Sequence, residues 1–188
     1  MLPRSSVARL RAHIKSWLRK IAKARHRIRK IKQARSTGIS ERGVKWVSQW
    51  EGFEARPAPD PVGYCTVGFG HLIRYEACRP EDHKKFGTLT VQEGLDLLHS
   101  DLKEYSDAIR DSVSVPLNQN QFDALVSFAY NNGIGAWLSS TLRRKINEKR
   151  PSWEIKSEFS RWVNAGSPPH PLPGLVRRRK AEADLFYS

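Results

Sequence analysis

Acidic residues are almost absent from the first quarter of this 188-residue chain. Residues 1–45 hold 15 Lys/Arg against a single acid, Glu41, whereas residues 46–188 hold 18 residues of each sign. The net charge of +14 therefore belongs to an arm, and the rest of the chain is a neutral body whose partners cannot be read from overall charge. Long apolar runs are missing as well. None reaches 18 residues, which excludes a transmembrane helix, and the basic N-terminus lacks the apolar core of a secretory signal. Cysteine is scarce: Cys65 and Cys78 are too few for a disulfide framework or a zinc site. They read either as a pair formed in an oxidising compartment or as two semi-buried thiols. The six histidines show no paired ligand spacing, so no metal site is expected. What is present, 39% apolar residues with 6 Trp, 5 Tyr and 7 Phe, suffices for one domain plus an appendage.

The appendage is patterned. Leu10, Ile14, Trp17, Ile21, Ala24, Ile28 and Ile31 recur at alternating steps of four and three, which is one apolar stripe on a helix, and the other faces are Arg and Lys. A cationic amphipathic helix over residues 1–38 fits an anionic envelope surface, with Trp17 and the isoleucines at the headgroup boundary. The stripe also fits docking on the body or a partner; nucleic-acid phosphate is the least favoured of the three. Ser36, Thr37 and Gly38 break the pattern and mark the boundary with a body over residues 39–188.

The body opens with a helix that Ser40 can cap, with Glu41 at its positive end and Gly52 as its stop. That reading places Glu51 in the last turn, beside Trp50 and Phe53, where the helix terminus and desolvation both favour the protonated form. A general acid needs that setting. Pro57, Pro59 and Pro61 exclude helix from the next stretch, which is a loop or edge segment delivering Asp60 nine residues after Glu51. Tyr64 to Gly70 then alternates as a strand. Cys65, Val67 and Phe69 face inward, while Tyr64, Thr66, Gly68 and Gly70 form an outer face on which the glycines leave room for a ligand or another backbone. Two carboxylates in different environments, one desolvated and one in a polar loop, fit glycoside hydrolysis.

These residues carry a family resemblance. Glu51-Gly52, Asp60 with Gly63, and Thr66-Val67-Gly68-Phe69-Gly70-His71 resemble the catalytic signature of the phage-type lysozymes, glycoside hydrolase family 24. "PLNQNQFDALVSFAYNNGIGAWLSSTLRRKIN", "RWVNAG" and "LPGLVRRRKAEADLF" are similar to the family's later blocks, so the likeness spans roughly residues 40–188 and leaves the arm outside. One departure is Ala58, where the family usually has tyrosine; a looser loop around Asp60 is expected from it. The resemblance implies an endolysin-type muramidase without cofactor. In it Glu51 is the general acid, and Asp60 and Thr66 hold the attacking water. Leu72, Tyr130 and Thr141 stand near positions that contact the glycan. It further implies a protein made in the host cytoplasm that acts on peptidoglycan of the bacterial cell wall, and a monomer. A lytic transglycosylase needs only the acid and is the first alternative; a non-catalytic cationic envelope-binding protein is the second.

Glu54 reads as a solvated loop residue. His71 reads as a residue that fixes local geometry by bonding an acid. Arg177, Arg178 and Arg179 offer one guanidinium to Glu51 or form a solvated face. The remainder is helical. Thr90 with Glu93 and Asn118 with Gln121 form capping boxes, the first opening a helix through Leu95, Leu98, Leu102, Tyr105 and Ile109. Ser139 or Ser140 and Ser152 start further helices, "SPPHPLPG" is a loop, and Leu175–Phe186 is a last helix. The expected fold is α+β and mostly helical, with a small β-containing lobe near residues 55–75, a larger helical lobe and a cleft between, lysozyme-like by the resemblance.

Overall fold

The computed structural model describes residues 38–188, together with Trp17 and Ile21; the expectation of an amphipathic helix over residues 1–38 otherwise lies outside the described residues. The fold is the expected one, mostly helical with a small sheet.

Helix α1 (Glu41–Ser48) begins where the sequence places it. Ser40 Oγ accepts the Gly43 N–H at 2.9 Å and in turn donates to Asp123 Oδ2 at 2.5 Å, so the cap is anchored to a buried carboxylate. Its end differs from expectation. The helix stops at Ser48, and Trp50 and Glu51 donate their N–H groups to Val47 and Ser48 carbonyls three residues back. That tighter closing turn lifts Glu51 out of the helix into the connection leading to the sheet.

Strands β1 (Glu54–Pro59), β2 (Cys65–Gly68) and β3 (His71–Arg74) form an antiparallel sheet in that order. Proline-rich β1 is an edge strand, as its missing N–H donors require. Glu54, exposed, is its first residue and not part of a loop. Cys65, Val67 and Phe69 are buried as the alternation predicts. The strand ends two residues earlier than read, at Gly68, and Phe69-Gly70 is the β2–β3 turn, with Gly70 at φ +89°. At Gly68 the room without a side chain is taken by backbone: an added Cβ would lie 3.4 Å from Gly94 Cα. Cys65 and Cys78 form a disulfide that ties β2 to the segment after β3.

Helix α2 (Pro80–Phe86) was not foreseen, although Pro80 at its start, Glu81 and Asp82 in its first turn and Gly87 after its end are ordinary helix signals. Helices α3 (Val91–Ser112) and α4 (Gln119–Asn132) both carry the expected capping boxes. In α4 eight consecutive residues, Phe122–Ala129, are buried, which is the mark of a central helix. Around it pack α3, α1, the short α5 (Ile134–Ser139) and α8 (Pro173–Phe186). The aromatic rings of Trp137, Phe159 and Trp162 stand edge-on to Phe128. Helices α6 (Thr141–Asn147), capped by Ser140, and α7 (Ser152–Phe159) complete the lobe. The expected loop at residues 167–174 carries β5 (His170–Pro171), which pairs with β4 (Asn164–Ala165) just before it, both too short to show as a periodicity, and its last two residues, Pro173 and Gly174, already belong to α8.

Candidate active site

Glu51 is held from the helical lobe. Its Oε1 accepts from Arg178 Nη1 of α8 at 2.7 Å, and Arg178 is almost fully buried. The triplet Arg177–Arg179 thus supplies one guanidinium to the carboxylate, and Arg178 is the one. Tyr130 belongs to α4. Burial pushes its hydroxyl up, and the negative charge of Glu51 adds to that shift, so the two lie within electrostatic reach. The Tyr130 hydroxyl donates to the Phe69 carbonyl at 3.2 Å in the β2–β3 turn. Helical lobe and sheet are therefore joined beside Glu51.

Asp60 lies just beyond β1. Its loop is tied by four hydrogen bonds, none of them from the Ala58 side chain. Asp60 N–H donates to the Tyr64 carbonyl (2.8 Å), its carbonyl accepts from Gly63 N–H (2.9 Å), and Oδ1 accepts from Val62 and Tyr64 N–H groups (2.9 Å each). Among the described residues no protein donor takes Oδ2. The Thr66 hydroxyl donates to the Ala58 carbonyl at 3.4 Å, leaving its oxygen able to accept. Register fixes the faces. Ala58 pairs with Thr66, and Thr66 pairs with Leu72. Directly paired residues share a face. Thr66 and the exposed Leu72 thus belong to one face of the sheet, and Asp60 stands in the turn that joins β1 to β2.

The other named positions separate. His71 opens β3, and its Nδ1 lies 3.0 Å from the Asp101 carboxylate of α3, the geometric role foreseen for it. Thr141 is the first residue of α6 and half-buried. Among the described residues no hydrogen bond or ion pair joins it to Glu51, Asp60 or Thr66. Glu182, fully buried behind Arg178, was not singled out from the sequence; its i,i+4 spacing from Arg178 on the last helix was the available signal.

Comparison with known proteins decides the family. Residues 48–182 match the family model described as phage lysozyme. The chain belongs to the phage lysozyme family. It is 36% identical over 151 residues to the endolysin of Salmonella phage P22, a match covering 80% of this chain and 98% of that one. It is 36% identical over 152 residues to the endolysin of Bacillus phage PZA, but there the match spans 55% of the relative's length. Among solved structures, the muramidase domain of SpmX from Asticcacaulis excentricus superposes with a TM-score of 0.69 at 33% identity, covering 80% of this chain and 97% of that one. The matched region of this phage lysozyme family member contains Glu51, Asp60, Thr66 and Arg178 and excludes the arm.

Proposed function

We propose that the body is an N-acetylmuramidase that cleaves the β-1,4 bond between N-acetylmuramic acid and N-acetylglucosamine in bacterial peptidoglycan by inverting hydrolysis. The coarser part, a lysozyme-type glycosidase that hydrolyses peptidoglycan of the cell wall, follows from the family. The finer part is supported by one observation above all. Asp60, in the turn between β1 and β2, and Thr66, on β2, both keep acceptor capacity to spare, while Glu51 is held separately by a guanidinium from the helical lobe.

In this reading Glu51, protonated, gives its proton to the glycosidic oxygen as the C1–O bond breaks. A water on the opposite sugar face attacks C1 and loses a proton to Asp60, with the Thr66 hydroxyl oxygen accepting its second hydrogen. The leaving sugar departs as an alcohol, and the anomeric centre inverts, a geometry that needs the carboxyls about 6.5–9.5 Å apart. Leu72 and Tyr130 are proposed to line the glycan path, and Thr141 is proposed as a more distant contact. The deciding experiment follows the products of a soluble peptidoglycan oligomer by proton NMR within seconds of cleavage. An inverted reducing end is expected. Retention overturns the role given to the water, and a 1,6-anhydro end turns the reading into a transglycosylase.

A further inference from the structure

Two guanidiniums lie buried side by side on α8, with side-chain exposures of 5% for Arg178 and 1% for Arg179. Buried cations need partners. Among the described residues two carboxylates ion-pair with them, Glu51 and Glu182. Glu51 must hold a proton before each turnover if it is the general acid. At that moment one of the two negative charges disappears, and Glu182 alone balances both cations. Glu182 is built for that duty. Its side chain is 0% exposed. Oε1 accepts from Ser127 Oγ at 2.7 Å and from Arg178 Nε at 3.2 Å, and Oε2 lies 3.1 Å from Arg179 Nε. Arg178 presents Nε to Glu182 and Nη1 to Glu51, so one planar guanidinium bridges the two carboxylates.

We propose that Glu182 is a positioning residue for the reaction: it aims Arg178 at Glu51 and shares the guanidinium's charge. The inference rests on the reading of Glu51 as general acid. The groups around the two carboxylates are Arg178 and Arg179 from α8, and Ser127 and Tyr130 from α4. Asn131 accepts from Arg179 Nη2 at 2.6 Å and so holds that second cation in place. Burial pushes the Glu182 carboxyl up, while Arg179, Arg178 and the Ser127 hydroxyl oppose the shift. Burial also brings Arg179 down to about 10, which leaves it charged at neutral pH.

The test is the pH dependence of kcat/KM on a soluble glycan, whose basic limb reports loss of the general acid's proton. In Glu182→Gln the undivided Arg178 charge favours ionised Glu51, so the basic limb moves about 0.5–1 unit toward lower pH. KM at the acid side stays unchanged, since a fully buried residue cannot touch substrate. Glu182→Asp restores the charge and brings the limb back toward its original place. If thermal melts show Glu182→Gln unfolded, the double variant Arg179→Met/Glu182→Gln removes one buried charge of each sign. Arg178 then has Glu51 as its one ion-pair partner, and the limb moves the same way. A limb that stays put in whichever of these variants folds overturns the proposal, even where the rate falls, because a purely structural role lowers activity without moving the profile. Glu51→Gln separates the two readings. If that variant keeps its activity, the assignment of Glu51 fails; if it is inactive and the Glu182 variants leave the profile in place, the present inference alone fails.

Discussion

Glu51 and Asp60 have different neighbours, and single substitutions separate their roles. In Glu51→Gln the amide oxygen still accepts from Arg178, so the fold loses little, but no proton can be given to the leaving oxygen. Hydrolysis of purified peptidoglycan is expected to fall on the order of a hundredfold or more with the melting temperature nearly unchanged. Activity above about a tenth of wild type contradicts the role, since a lost general acid is rarely replaced so well. In Asp60→Asn, Oδ1 keeps its bonds from Val62 and Tyr64 N–H groups, yet the side chain no longer takes a proton from water. The same assay is expected to show a comparable loss, with circular dichroism unchanged. Glu51, Asp60 and Thr66 were legible in the sequence because they lie within 16 residues and lead into an alternating strand. Arg178 was legible only as one of three consecutive arginines, since the 127-residue separation from Glu51 leaves no local trace. Glu182 shows in the sequence only as an i,i+4 partner of Arg178, a spacing that solvated pairs share.

Gly94 marks the contact between α3 and the sheet. A Cβ there would lie 2.6 Å from Phe53 Cε2 and 3.4 Å from Phe69 Cδ2, and those two rings pack tilted, with centroids 5.0 Å apart. Replacing a glycine inside a helix by alanine gains up to about 1 kcal/mol of helix propensity. Pushing a packed ring aside costs about 1–3 kcal/mol, so strain wins. Gly94→Ala is expected to lower the melting temperature by several degrees and to slow hydrolysis, because Phe53 is two residues from Glu51; an unchanged melt means the rings give way freely. The disulfide acts on the same sheet from its other end. It closes a loop over a sequence separation of 13, so its reduction is expected to cost about 3 kcal/mol through unfolded-chain entropy, read as a shift of the denaturant midpoint with and without reductant. A midpoint indifferent to reductant refutes that contribution. The starts of α3 and α4 are legible to the residue in the sequence because each carries a capping box. The end of α1 and the short elements α2, α5, β4 and β5 were not, because a helix exit turn or a two-residue strand carries too few residues for a period to show.

The whole molecule joins a neutral body to a cationic arm, and the two were unequally legible. Residues 1–38 carry 13 Lys/Arg and no acid, against a net charge of +14 for the chain. The body's enzymatic nature is settled by its family; the arm lies outside the match, and its role is proposed from charge and pattern alone. Peptidoglycan hydrolysis needs Glu51, Asp60 and Thr66 in the proposed mechanism, all in the body. Attraction to an anionic envelope has no comparable source there, since residues 46–188 hold equal numbers of each sign. Deleting residues 1–38 is therefore expected to weaken sedimentation with intact cells and with anionic phospholipid vesicles, while hydrolysis of purified soluble glycan stays near the full-length rate. The difference should shrink as salt rises from low to physiological strength, where exposed charges are screened over about 8–10 Å. Charge and insertion separate in Ile21→Asp/Ile28→Asp, which breaks the apolar stripe and removes two of the 14 net charges. If the stripe enters the headgroup layer, this variant behaves like the deletion; if charge alone attracts, it keeps most of the binding. A truncated protein that unfolds at lower temperature shows instead that the stripe packs on the body. Equal binding of truncated and full-length protein at low salt removes envelope targeting from the arm altogether.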